Sequence, residues 1–128
     1  MADRETINNF ITRKSFAIVG ASNDRTKYGN KVYRDLRAKG YTVFPVNPKL
    51  ELVEGDPCYP GLKDLNTPVD GVVSIVPPAV TEKIVQEAHD AGIKLIWMQP
   101  GAESPKAIEL CRELGMTCVH DDCIMVRT

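Results

Sequence analysis

The chain has 128 residues, enough for one domain with its own core and too few for two. Hydrophobic residues make up 43% and charged residues 26%, with a formal net charge of −1, the profile of an ordinary soluble protein and not of a general nucleic-acid binder. The longest apolar runs, such as "GVVSIVPPAV" at 71–80, are broken by proline and fall far short of a membrane span.

In chain order, "MADRETINNF" has no apolar signal core, so a cytoplasmic location is expected. Ile7, Phe10 and Ile11 recur at helical spacing behind Asp3 and predict a short amphipathic helix. "SFAIVG" (15–20) reads as a compact buried strand. Residues 29–39 fit a helix with Val32, Tyr33 and Leu36 on one face and Gly40 as its stop. "TVFPV" follows as a second strand, then a very short third near Cys58 and Tyr59 and a turn-rich stretch, "PGLKDLNTPVD". "GVVSIV" (71–76) lacks polar alternation, as a strand does when both faces are covered. A helix over 79–91 is expected to turn Val80, Ile84, Val85 and Ala88 inward and to stop at Gly92. "KLIWM" (94–98) is the next buried strand. Ser104 and Pro105 then read as N-cap and first residue of a helix that points Ala107, Ile108, Cys111 and Leu114 inward and ends at Gly115. "TCVH" closes the series.

Strands alternating with helices imply parallel pairing through right-handed crossovers. The predicted fold is therefore α/β: a single domain over 1–128 with one doubly wound, Rossmann-like parallel sheet in the order 3-2-1-4-5, to which "TCVH" can add a sixth strand beside the fifth. Pro45 cannot donate to a ladder, so strand 2 must lie near an edge, covered only by the very short third strand.

In such a sheet a ligand sits outside the carboxyl ends of the strands where the winding reverses, here between strands 1 and 4. Three segments converge there: "GASNDRTKYGN" (20–30), "VNPK" (46–49) and "VPPAVT" (76–81). Gly20 allows a tight turn, and the amides after it, with Ala21 and the Ser22 hydroxyl, suit an anion. Gly29 lies near a helix start, where partial positive charge favours a phosphate. The loop is longer than the GxGxxG fingerprint. Residues 24–49 also hold seven Lys or Arg against two Asp, and Arg25, Lys27 and Lys49 stand at the loop ends. NAD-binding folds place an acidic residue after strand 2 for the ribose diol. Here Val46 leads into Asn47, held extended by Pro48, and then Lys49. Pro48 offers a face for adenine and Lys49 a charge for a ribose phosphate; coenzyme A and NADP both qualify.

The segments "AIVGAS…YGNKVYRDLRAKGYTVFPVNPK", "CYPGLKDL", "VDGVVSIVPP" and "WMQPGAE" together resemble the CoA-binding domain proteins, stand-alone relatives of the CoA-binding domain of succinyl-CoA synthetase alpha subunits and ADP-forming acyl-CoA synthetases. The resemblance covers roughly residues 5–126. It implies that Gly20, Ala21, Ser22, Asn47, Pro48, Lys49, Val76, Pro77 and Pro78 line the nucleotide site, with Gln99 near the pantetheine arm of coenzyme A. Many members end in Asp-Arg-Cys; this chain has Asp121, Asp122 and Cys123, and the resemblance makes Cys123 the candidate for contact with the ligand thiol.

The four cysteines show no CxxC spacing and no grouping with histidine, so no metal site is expected. His89 falls near the far end of its helix, and His120 stands beside Asp121 without a nucleophile, so no catalytic set is formed. The expectation is a binder of coenzyme A or acyl-CoA that is not an enzyme, with no nucleic-acid or membrane partner. The alternatives are an NADP-dependent oxidoreductase or nucleotide sensor, or an interaction subunit of a larger synthetase.

Overall fold

The computed structural model describes residues 4–128. Asp3, expected ahead of the first helix, lies outside them. Chain order is α1 (Arg4–Ile11), β1 (Ser15–Val19), α2 (Tyr28–Ala38), β2 (Thr42–Val46), β3 (Leu52–Val53), β4 (Asp56–Pro57), a 3-10 turn (Leu62–Asp64), β5 (Gly71–Ser74), α3 (Pro78–Asp90), β6 (Leu95–Met98), α4 (Pro105–Glu113), β7 (Thr117–Val119) and α5 (Ile124–Arg127).

Five strands form one parallel sheet in the order β2-β1-β5-β6-β7. This is the predicted winding, with "TCVH" joining as β7. The predicted third strand shrinks to a single parallel bridge between Val46 and Tyr59. Thr42 donates to the Lys14 carbonyl and the Val46 carbonyl accepts from Gly20. Residues 42, 44 and 46 therefore turn their backbone groups toward β1, and Pro45 turns outward. Among the described residues Tyr59 alone pairs with it there, donating to the Pro45 carbonyl at 3.0 Å, so the missing proline N–H costs the sheet nothing.

Strand alternation sorts the core into two layers. Phe16 and Ile18 of β1 pack with Ile7, Phe10, Val32, Tyr33, Leu36, Trp97 and Ile124, under α1, α2 and α5. Ala17 and Val19 face the other way, onto Ile84, Val85 and Ala88 of α3 and Ala107 and Cys111 of α4. In the first layer Phe10 stacks on Phe16 at 5.1 Å and meets Trp97 edge-on at 5.3 Å; each such pair is worth roughly 0.5–1.5 kcal/mol beyond the area it buries.

Helix ends follow the expected signals. Tyr41 donates to Leu36, Ile93 to Ala88 and Met116 to Cys111, closing α2, α3 and α4 with the same terminal bond around Gly40, Gly92 and Gly115. Ser104 caps α4, accepting from the Ala107 N–H at 3.0 Å. One expectation needs correction. Val80 is exposed, and Thr81 takes the inward position. The reason is polar: Thr81 shares a hydrogen bond with the buried Ser74 hydroxyl at 3.0 Å and reaches the Val76 carbonyl at 3.3 Å, which a valine cannot do. Among the described residues no helix is long and apolar enough to cross a membrane.

Candidate functional site

A cleft of about 670 Å³ opens at the carboxyl ends of β1, β5 and β6. One wall is Gly20, Ser22, Thr26, Lys27, Tyr28 and Gly29; the other is Ile75, Val76, Pro77 and Pro78; Gln99 to Ala102 and Cys123 close the end. It lies where the winding of the sheet reverses, the place that such folds reserve for ligands.

The glycine loop is held by its own hydrogen bonds. Ser22 Oγ accepts from the Asp24 N–H at 3.0 Å, and Asp24 accepts from the Thr26 N–H and hydroxyl at 3.0 and 2.6 Å. The Thr26 contacts hold the Asp24 carboxyl below its ordinary range. Gly20 has φ +95°, a region open to glycine. A Cβ on Gly29 would stand 2.0 Å from the Gly20 carbonyl oxygen, so the start of α2 lies directly against the end of β1. Lys27 occupies the N-cap position without a side-chain cap, the Asn30 N–H donates to the Lys27 carbonyl at 3.1 Å, and Tyr28 and Gly29 of the helix start line the cleft.

Behind the loop stands a hairpin, β3 and β4, turned at Glu54 and Gly55 with φ of 49° and 83°. Asn23 donates to the Leu52 carbonyl at 2.8 Å and accepts from the Glu54 N–H at 2.9 Å. Glu54 pairs with Arg25 at 2.7 Å and accepts from Asn30 at 2.9 Å, and these partners, Arg25 first, hold its carboxyl below the usual range. Asn30 also donates to the Ser22 carbonyl at 2.8 Å. Asp56 takes the Tyr33 hydroxyl and the Arg37 guanidinium; burial first, then Asp56, pushes the Tyr33 phenol up. The hairpin and the glycine loop are thus joined by hydrogen bonds and an ion pair.

At the closed end Gln99 is buried. Its Oε1 accepts from the Ile124 N–H at 2.8 Å and its Nε2 donates to Cys123 Sγ at 3.4 Å. Trp97 Nε1 donates to the Asp122 carbonyl at 2.9 Å, and Asp122 pairs with Arg127 at 2.8 Å. The tail is thus folded onto the end of β6, with Cys123 facing the cleft. His120 is half-buried with Nδ1 2.6 Å from Asp121, and His89 is exposed on the last turn of α3. Neither lines the cleft. Among the described residues no group of three or more His, Cys, Asp or Glu is placed to hold a metal ion.

A family model described as "CoA binding domain" matches residues 14–128. The chain belongs to this family. As a CoA-binding domain it is similar to the alpha subunit of ADP-forming acetate–CoA ligase II of Pyrococcus furiosus, 26% identical across 92% of this chain and 28% of that subunit. The chain therefore spans less than a third of that relative's length. Among solved structures it is similar to a conserved hypothetical protein of Pyrococcus furiosus, 42% identical with TM-score 0.85, covering 91% of this chain and 99% of that one. A hypothetical protein of Pyrococcus horikoshii is 34% identical with TM-score 0.94, over 98% of this chain and 89% of that one.

In this CoA-binding domain the structure brings Gly20, Ser22, Lys27, Val76, Pro77, Pro78 and Gln99 together around the cleft. Ala21 and Val46 are buried beneath it. Asn47 braces the neighbouring loop: its Nδ2 donates to the Ala21 carbonyl and its Oδ1 accepts from the Lys49 N–H, both at 2.9 Å. Pro48 and Lys49 are exposed on that loop, outside the cleft lining. Arg25, read from its position as a loop-end charge, is committed to Glu54. The sequence reading did not single out Thr26, Tyr28, Ile75, Pro100, Gly101 and Ala102 as lining residues; the signal for the last three was the "QPGA" turn that ends a buried strand.

Proposed function

We propose that the chain binds coenzyme A or an acyl-CoA in this cleft, without catalysis of its own. The observation that carries this reading is the start of α2, which lines the cleft beside Gly20 with Lys27 at its N-cap and no cap from that side chain. A helix start presents unpaired N–H groups and about half a positive charge, and a diphosphate answers both. In this reading Gly20, Ala21, Ser22 and Lys27 hold the diphosphate. Val46 and Asn47 set the loop on which Pro48 packs against adenine and Lys49 meets the ribose phosphate. Val76, Pro77 and Pro78 flank the arm, and Gln99 receives its far end. The family match and the ligase relative support coenzyme A over NADP.

The test is mass spectrometry of the ligand retained by native protein, followed by titration of CoA, dephospho-CoA and NADP at one fixed salt concentration. A charge-assisted contact from Lys49 to the ribose phosphate is worth roughly 1–3 kcal/mol, or about one to two orders of magnitude in affinity. Wild type should prefer CoA to dephospho-CoA by that factor. Lys49→Ala should lose most of the preference and keep its affinity for dephospho-CoA. NADP binding as tightly as CoA would overturn the choice of ligand, and an undiminished preference in the variant would remove Lys49 from the site.

A further inference from the structure

Resting on that reading, we propose that the cleft is built for a CoA thioester with a short apolar acyl group in preference to free CoA, and that Gln99 donates a hydrogen bond to the thioester carbonyl. Gln99 is 4% exposed and closes the cleft. Its backbone is fixed on both sides, its N–H donating to the Ser74 carbonyl at 3.0 Å and its carbonyl accepting from Ala102 at 2.8 Å. The orientation of the side-chain amide is also fixed. A backbone N–H can only donate, so the atom 2.8 Å from the Ile124 nitrogen is the amide oxygen, and Nε2 faces Cys123.

That leaves a donor poorly served. Nε2 carries two N–H groups, and its acceptor is a thiol sulfur at 3.4 Å, a weak one. Buried polar groups are normally satisfied by better partners than this. The thiol of free CoA would offer another weak sulfur; a thioester carbonyl offers the oxygen that the amide lacks. The surroundings favour a short hydrocarbon beyond it. Ile75 follows the residue that pairs with the Gln99 backbone, Pro100 and Ala102 follow Gln99 itself, and Cys123 lies against its amide. Among the described residues Lys27 is the one charged side chain in the lining, and it belongs to the glycine-loop wall.

Calorimetric titration of CoA, S-ethyl-CoA and acetyl-CoA isolates the carbonyl in the unaltered protein, because the last two differ chiefly in that oxygen. Acetyl-CoA should bind roughly tenfold tighter than S-ethyl-CoA, the worth of one neutral hydrogen bond in a dry site. Gln99→Glu keeps an oxygen for the Ile124 N–H and removes the amide donor, and should bring the ratio close to one. Cys123→Ala, which removes the competing acceptor, should keep the ratio or raise it. Equal binding of acetyl-CoA and S-ethyl-CoA by wild type would overturn the inference while CoA binding stands, as would a ratio that survives in Gln99→Glu. Failure of all three ligands to bind would instead overturn the reading beneath it.

Discussion

At Gly29 a hydrogen stands where any other residue would place a carbon 2.0 Å from the Gly20 carbonyl oxygen. Two effects oppose each other there. Alanine is preferred to glycine inside a helix by about 1 kcal/mol. Overpacking costs typically about 1–3 kcal/mol even where side chains can give way, and here the obstacle is backbone. The clash should win. Gly29→Ala is expected to lose roughly 1–2 kcal/mol in urea unfolding and, on the proposed placement of the phosphates at this loop, to bind CoA more weakly, because the helix start must retreat from it. A variant as stable as wild type, with full affinity, would mean that the end of β1 yields freely. Gly20 is less clean as a test: its φ of +95° and a Cβ contact of 3.1 Å with Val76 mean that bulk there strains the fold as well as the ligand space.

The element that the sequence concealed is the β3–β4 hairpin. The five sheet strands were readable because each is a compact apolar run, and α2, α3 and α4 because each ends at a glycine that closes it. "ELVEGDP" carries no such mark. Its two strands have two residues each, its turn places Glu54 at φ 49° where Asn or Asp is usual, and its acidic residues read as a solvated loop. Asn23, Arg25 and Asn30, from another part of the chain, hold it in place. The tail hid for a similar reason: α5 is a single turn, fixed by Gln99 and Trp97 rather than by its own pattern. The meeting of the glycine loop and "VPP" at one cleft was readable from topology, whereas "VNPK" lies outside the lining and the bracing role of Asn47 depends on bonds that no spacing reveals. The hairpin also makes a pH prediction. Glu54 has a folded pKa below its unfolded value of about 4.3, so its contribution is complete above that pH and is lost as pH falls through the folded value. Glu54→Gln removes the charge and should flatten the acid limb. Urea midpoints at pH 6 and pH 3 should differ less in the variant than in wild type; an equal difference would show that the pair adds nothing to folding.

Across the whole molecule the cleft straddles the sheet. Ile75 packs against the layer under α1 and α2, and its neighbour Val76 against the layer under α3 and α4, so the cleft is lined by residues rooted in both. A ligand that binds the native state alone stabilises it by mass action, by about 2.7 kcal/mol at a concentration one hundred times its Kd. For a domain of this size each kcal/mol moves Tm by roughly 3–5 °C, so the expected rise with CoA is about 10 °C. The sole tryptophan makes the cooperativity testable, since Trp97 is fully buried among Phe10 and its neighbours on the face away from α3 and α4. Its fluorescence reports one layer and far-UV circular dichroism reports all the helices. With CoA bound, both transitions should move up together and stay coincident, as two-state unfolding requires. A rise seen by circular dichroism but not by Trp97 would mean that the ligand steadies only the α3 and α4 side of the sheet, and no rise with either probe would mean that CoA does not engage the native fold.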